Sequence, residues 1–500
     1  SVTNAQYCYN TYYSLVKLTT NNLKGLTMST DVKTPRAEYT NALHGVIRNR
    51  AAISGGRAVK AGREMFLKPL ASMCCSTVIN EDGSESLRKH PQLTYEGMAD
   101  YEKYLELAYF YAATQITVEG LIGLIFSKEA KSELPVQAEF IRENIDGKGT
   151  TLREMSIAAC REAISSDWSG FLVARPETPT GASEKFVEDN NLRPKILHYK
   201  FESIINWDYT VINNVEQLSL LVLKESKTKR TGFKVEVEDQ YRVLELIEGV
   251  YHQAMYDTDG NIVNEASPVI INGEFSNSIP FFWVEEPCKE SAPITGLVDA
   301  NFEHYNIFAD YGGKLHLSSF AIFTETGASP GGNMMLGNGM KWNNPNDQAQ
   351  FSVLQADGNS DGLRLALQDM EVRMAALGAE QLKPRTSGAE SAEAKGLDKV
   401  SQSSSTANIA ITVSKALTLA INFVSKQMDG TEDTEYLLNT DYNPTGIDAQ
   451  TLSAVFAVHL AGKMPTEDFF TFLQKGELIN AEKTLEEYLA QIETNNTGME

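Results

Sequence analysis

The one stretch that matches an enzyme motif is Gly327-Ala328-Ser329-Pro330-Gly331, which fits GxSxG, the turn that presents a nucleophilic serine in α/β-hydrolases. Its fourth residue defeats it. The residue after the serine must donate its backbone N–H to the oxyanion, and Pro330 has none. Proline also steers Ser329 towards an extended conformation and away from the strained turn. The surrounding run GASPGGNMMLGNGMK lacks the GK[ST] ending of a phosphate-binding loop. Asp257, Asp259, Gly260 and Asn261 invite a calcium reading, but neither the glycine nor a late glutamate falls where an EF-hand needs it. Asp-Gly-Asn between two β-rich runs reads instead as a hairpin turn. The histidines (His44, His90, His198, His252, His304, His316 and His459) show no HExxH or HxH spacing. Cys8, Cys74, Cys75, Cys160 and Cys288 show no CxxC pair and read as reduced thiols. Glu285-Glu286 and Glu486-Glu487 read as solvated faces. With no nucleophile, base and orienting group to name, the expectation is a protein that is not an enzyme, with no metal and no cofactor.

Charge narrows the class further. Against 44 Lys plus Arg stand 66 Asp plus Glu, a formal charge of −22 over 500 residues. A nucleic-acid binder clusters cations to neutralise phosphates, and this balance repels a polyanion. Two basic runs, one spanning Arg48, Arg50, Arg57, Lys60, Arg63 and Lys68 and the other KTKR at 227–230, read as a solvated face and an exposed hairpin tip. Residues 1–18 lack the order of a signal peptide. Apolar stretches such as ITVEGLIGLIF at 116–126 fall short of the roughly 20 residues that cross a bilayer. A soluble chain made in the cytoplasm is expected.

The elements follow from periodicity. Leu363, Leu367, Met370, Met374 and Leu377 recur at steps of four and three, one apolar stripe on a helix. Val413, Leu417, Ala420, Val424 and Met428 repeat that logic. Between the two stripes lies QLKPRTSGAESAEAKG, where Pro384, Gly388 and Gly396 interrupt helix formation. The run VSQSSSTANIA that follows is rich in small residues, which would let another helix or subunit come close. Upstream, 99–126 predicts one long helix weakened by Gly120 and Gly123, and 152–166 a second helix leading into a strand at SGFLVARP. Residues 197–285 alternate like strands. Pro293 opens a helix carrying Ile294, Val298, Phe302, Tyr305 and Phe308. Asp448, Thr466 and Asn480 are candidate N-caps of three terminal helices, in a segment (441–500) with ten acidic and three basic residues. Residues 1–35 read as an arm or mobile end.

Several phrases, in order, resemble a family of tailed-bacteriophage portal proteins, or head–tail connectors, many of whose members carry only a domain-of-unknown-function label. They are GGRAVKAGREMFLKPL (55–70), YLELAYFYAATQITVEGLIGLIFSK (104–128), CREAISSDWSGFLVARP (160–176) and HYKFESIINWDY (198–209). They continue with ITGLVDANFEHYNIFADYGGKLHLSSFAIFTETG (294–327), LGNGMKWNNPNDQAQFSVLQADG (336–358), and MAALGAEQL, ESAEA and SSSTANIAITVSKAL within 374–417. The resemblance implies an α+β portal fold. Its parts would be an α/β wing (1–292), a stem helix (293–316), a small α/β clip (317–360), a second stem helix (361–382), a tunnel loop (383–396), a long wing helix (397–440) and a helical crown (441–500). It also implies a ring of about twelve copies at the unique vertex of the virion capsid, serving genome packaging, head–tail joining and DNA ejection.

The partners so implied are double-stranded DNA passing through the channel, the large terminase subunit, the major capsid protein and a head–tail adaptor, with no membrane. The residues so placed are Leu363, Leu367, Met370, Met374 and Leu377 lining the stem, and Lys383, Arg385, Thr386 and Ser387 facing DNA on the tunnel loop. The competing class is another virion structural protein, an adaptor or minor capsid component.

Overall fold

The computed structural model describes residues 31–79, 85–176, 186, 189–190, 192–271, 274–287, 292–319, 321–326, 350–355, 360–378, 392–428, 430–442, 449–475, 478–479 and 483–497. The chain is an α+β protein in two compact units, 1–440 and 441–500.

The first unit begins with α1 (Ala37–Ser54) and α2 (Gly56–Ala61), a strand pair β1 (Cys74–Ile79) and β2 (Glu85–Leu93), then α3 (Tyr95–Leu107) and α4 (Ala113–Ile125). The single helix expected over 99–126 is therefore two. The break falls at 108–112 and not at Gly120 or Gly123, because Ala108 and Phe110 are buried there and the backbone turns to bury them. A short strand β3 (Lys131–Glu133) precedes α5 (Leu152–Ser165), whose start is fixed by a capping box between Thr151 and Glu154.

Strands β4 (Ser169–Ala174), β5 (Lys195–Tyr199), β6 (Ile204–Ile212), β7 (Val215–Thr231), β8 (Lys234–Ile247), β9 (Val250–Tyr256) and β10 (Ile262–Pro268) follow, then the short pair β11 (Ile270–Ile271) and β12 (Glu274–Phe275), and β13 (Phe281–Glu285). Strands β6 to β10 form one antiparallel sheet in the order β10-β9-β8-β7-β6, and β13-β4-β5 form a second. The Asp257 turn joins β9 to β10 as a hairpin. Its carboxylate accepts from the backbone of Asp259 and Asn261, and Gly260 takes the positive φ. Between the sheets and α1 sits an aromatic cluster. Trp168 lies 4.3 Å from Phe201 and 5.0 Å from Trp207, and Tyr39 stacks on Phe201.

The chain then runs through α6 (Thr295–Ser318), strands β14 (Ala321–Thr326) and β15 (Gln350–Gln355), paired antiparallel, and α7 (Asp361–Ala376). Expected to reach 382, α7 ends at Ala376, where Gly378 takes a φ of 126° that stops the helix. Next comes α8 (Ala392–Gln427), which packs on β13, β4 and α5 and ends well before the expected 440. Beyond it, β16 (Glu435–Leu437) pairs with β3. The predicted stripe is the buried face: Val413, Leu417, Ala420 and Val424 are fully buried, each contributing about 1.5–3 kcal/mol when large. Small residues also serve inside the chain, since Ala410, Ala416 and Ala420 are buried against it. Ser405–Gln427 is, by length and composition alone, able to cross a membrane, which corrects the expectation that every apolar stretch is too short. Its buried half makes it a core helix of this unit.

The second unit holds α9 (Ala449–Leu460), α10 (Thr466–Lys475) and α11 (Leu485–Thr497). Phe469, Phe470 and Leu473 are its core. His459 stacks on Phe469 at 4.3 Å, and Phe470 lies 5.2 Å from Tyr488. Thr466 is the first residue inside α10, not its cap. The cap of α11 is Thr484, whose hydroxyl accepts from Glu487 N while the Glu487 carboxylate accepts from Thr484 N. The expected caps Asp448 and Asn480 lie outside the described residues.

Candidate functional site

The candidate site is the helical hairpin α6–β14–β15–α7. Its helices run antiparallel: Gly296 in the first turn of α6 sits beside Leu377 at the end of α7, and His304 midway along α6 faces Glu371. The apolar stripe read from sequence on α6 is its inner face, with Ile294, Val298, Phe302 and Tyr305 buried.

What anchors the base of the hairpin is a set of polar clamps among aromatic rings. Asn301 is fully buried. Its Oδ1 accepts from Thr114 Oγ1 at 2.9 Å and Thr114 N at 3.3 Å, and its Nδ2 donates to Tyr111 O at 2.8 Å. One side chain thus holds the break between α3 and α4 against α6. Arg48 pairs with Asp299 at 2.7 Å while lying over the Phe302 ring, and Phe66 stacks on Phe302 at 4.9 Å. Tyr104 donates to Asp310 at 2.6 Å.

His304 is buried, and that burial lowers its pKa to about 4, so it is neutral at pH 7. Its 3.7 Å approach to Glu371 is therefore not an ion pair and is too long for a hydrogen bond. The ring packs between Tyr111 and Phe308.

Past Asp310 the character changes. Leu315 and Leu317 on α6, and Leu365 on α7, are exposed, Leu317 to 68%. The hairpin is thus rooted at one end, and towards the other these three described leucines are exposed. Of the five residues placed on the stem, Leu367, Met370 and Met374 are buried within the chain, where α7 lies on α6. Leu363 is half-buried and Leu377 exposed. The tunnel-loop residues Lys383, Arg385, Thr386 and Ser387, the GxSxG pentapeptide and the glycine-rich run lie outside the described residues.

Much of the basic run at 48–68 is not a bare solvated face. Arg63 pairs with Glu102, and Arg50 enters a buried network that sequence reasoning missed. Arg50 donates to Glu162, to Glu202 at 2.9 Å and to Ser165 at 2.8 Å. Glu162 also accepts from Ser166 at 2.8 Å and from Phe201 N at 3.2 Å. Burial pushes the Glu162 carboxyl up, but the Arg50 guanidinium outweighs it and holds the pKa below the usual carboxylate range. His198, beside this pair, is driven by burial to about 4 and stays neutral. Each charge here has an opposite charge in reach, and the geometry is that of a structural tie between α1, α5 and the strands. Among the described residues, no three His, Cys, Asp or Glu side chains converge as metal ligands.

Residues 293–428, a little over a quarter of the chain, match the family described as Domain of unknown function (DUF4055). That span begins just before the candidate hairpin and ends just after α8. No curated protein matches the chain. Among solved structures, a chain from the "Virion of native gene transfer agent (GTA) particle" is similar at 8% identity over 74% of this chain and 92% of its own. Its TM-score is 0.39, too low for that likeness to carry an argument.

Proposed function

We propose that this chain is a portal subunit of a tailed bacteriophage, one of about twelve copies closing a ring around a channel for double-stranded DNA at one capsid vertex. The observation that carries the reading is the hairpin. Two antiparallel helices, joined through a strand ladder, are clamped towards one end by Asn301, Arg48 and Tyr104 and carry exposed Leu315, Leu317 and Leu365 towards the other. Exposed leucines on the hairpin call for a cover, and copies of the same hairpin arranged around an axis supply one. A helix of 24 residues spans roughly 36 Å, long enough to form the wall of such a channel.

The net charge of −22 suits a conduit. A wall that repels phosphates lets a motor drive DNA past without adhesion. In this scheme Lys383 and Arg385 make sparse, transient phosphate contacts at the narrowest point, and the chain acts as a passage and not as a catalyst. Terminase, the major capsid protein and a head–tail adaptor would meet its outer surfaces. Capsids assembled without the chain should form but hold no DNA; DNA-filled capsids lacking it would overturn the proposal.

A further inference from the structure

The two helices of the hairpin are held in different ways. Polar bonds tie α6 to the rest of its unit at five places. Asn49 donates to Thr295 at 3.3 Å, Arg48 pairs with Asp299, and Asn301 holds Thr114 and Tyr111. Asn306 donates to Phe66 O at 3.3 Å, and Tyr104 donates to Asp310. α7 has no such tie. Between Gly362 and Leu377 one side chain, Arg364, makes a polar bond, and its partner Asp361 is on the same helix. None of these residues hydrogen-bonds or ion-pairs with another element among the described residues. Glu371 approaches His304 at 3.7 Å, but His304 is neutral, so nothing there fixes the position of α7. What holds α7 on α6 is apolar: Leu367, Met370 and Met374.

Nor does the apolar stripe itself select one register. Leu363, Leu367, Met370, Met374 and Leu377 recur at steps of four and three, so a shift of one turn puts each residue in its neighbour's place. The stripe is also longer than the site it fills. Its middle three residues are buried, whereas Leu363 is half-buried and Leu377 is 48% exposed. Gly296 beside Leu377 and His304 beside Glu371 set the present register, in which Met374 lies about level with Ala300. One turn towards the far end of α6 would bring Leu377 level with the buried Ala300. It would bring Leu363 level with Leu315, which is 40% exposed, and Met374 level with the neutral His304. A shift the other way would carry Leu377 past the start of α6. Methionine side chains suit such a change, because they repack without a fixed shape.

We infer that α7 is a two-position slider on a fixed α6, its second position lying one turn, about 5.4 Å, nearer the far end of the hairpin. The shift exchanges one set of apolar contacts for a like set and breaks no side-chain hydrogen bond or ion pair between the two helices. It changes both ends at once, uncovering Gly296 at the base and covering Leu315 roughly 24 Å of helix away. A partner that binds one end better in one position therefore sets the other end. The device does not depend on how many copies of the chain assemble.

The test uses paired cysteines in the full chain, oxidised slowly, with disulfides inside one chain identified by non-reducing electrophoresis and peptide mass. Gly296→Cys with Leu377→Cys reports the present position and sets the rate scale. Ala300→Cys with Leu377→Cys, and separately Leu315→Cys with Leu363→Cys, report the shifted position at its two ends. Both shifted pairs should close, no slower than about a hundredth of the rate of the first pair, as a minor state of about one per cent would allow. Closure of the first pair alone overturns the slider. So does closure of a single shifted pair, because fraying of one helix end would give that, whereas a slide moves both ends together.

Discussion

At Glu162 a single carboxylate serves three donors from different parts of the chain: Arg50 on α1, Ser166 just past α5, and the backbone of Phe201. Removing the charge leaves a partly buried guanidinium short of one partner. Glu162→Gln should therefore cost about 3 kcal/mol in urea unfolding, in the range for breaking a buried pair. An unchanged midpoint would mean that Glu202 alone satisfies Arg50. The buried histidines set a pH dependence. His198 and His304 fall from 6.5 unfolded to about 4 folded. Between those values the unfolded chain binds the extra protons, so stability is full above about 6.5 and is lost as pH falls towards 4. Each histidine contributes up to about 1.4 kcal/mol per pH unit in that window. Thermal melts at successive pH values should show this, and His304→Phe, which keeps the ring stacking, should flatten the slope. None of this was legible in the sequence. Arg50 and Glu162 are 112 positions apart, and a lone histidine gives no sign of what will bury it.

Among the elements, the decisive joint is the turn between α3 and α4, held to α6 by Asn301. Asn301→Leu should cost about 2–4 kcal/mol, because the Thr114 N–H and hydroxyl would lose their buried acceptor. A second joint is Gly97, in the first turn of α3. A Cβ there would sit 1.9 Å from Met73 O, a backbone atom that cannot step aside cheaply. Gly97→Ala should lower the melting temperature, while Gly123→Ala, with nothing within 4 Å, should leave it unchanged or raise it. Sequence periodicity placed α5, α6, α7, α8 and the strand-rich middle because each buries one face at its own period. It missed the α3–α4 break because the cause, the burial of Ala108 and Phe110 against the rest of the unit, is tertiary. It missed the Thr484 cap of α11 although the signal, Thr followed by Glu at the third position, stands in the sequence.

For the whole molecule, the proposed ring around a channel rests on the hairpin's exposed leucines and the acidic charge. Leu317→Gln with Leu365→Gln removes exposed apolar surface at no cost to the buried base of the hairpin. The double variant should melt like the parent chain yet assemble poorly, as read by sedimentation. Parent-like assembly would move the interface elsewhere. Replacing Lys383 and Arg385 by Ala should lower the amount of DNA packaged per particle; full-length packaging at normal efficiency would remove their proposed role. The α+β class and the hairpin's two helices were legible in sequence. The buried state of Leu367, Met370 and Met374 was not, because an apolar stripe looks the same whether it meets its own chain or a channel. The most direct measurement is electron microscopy of the purified chain with particle mass taken alongside. A ring with an open channel wide enough for duplex DNA, at about twelve chain masses, is the predicted result. A closed, globular oligomer with no channel would contradict the account.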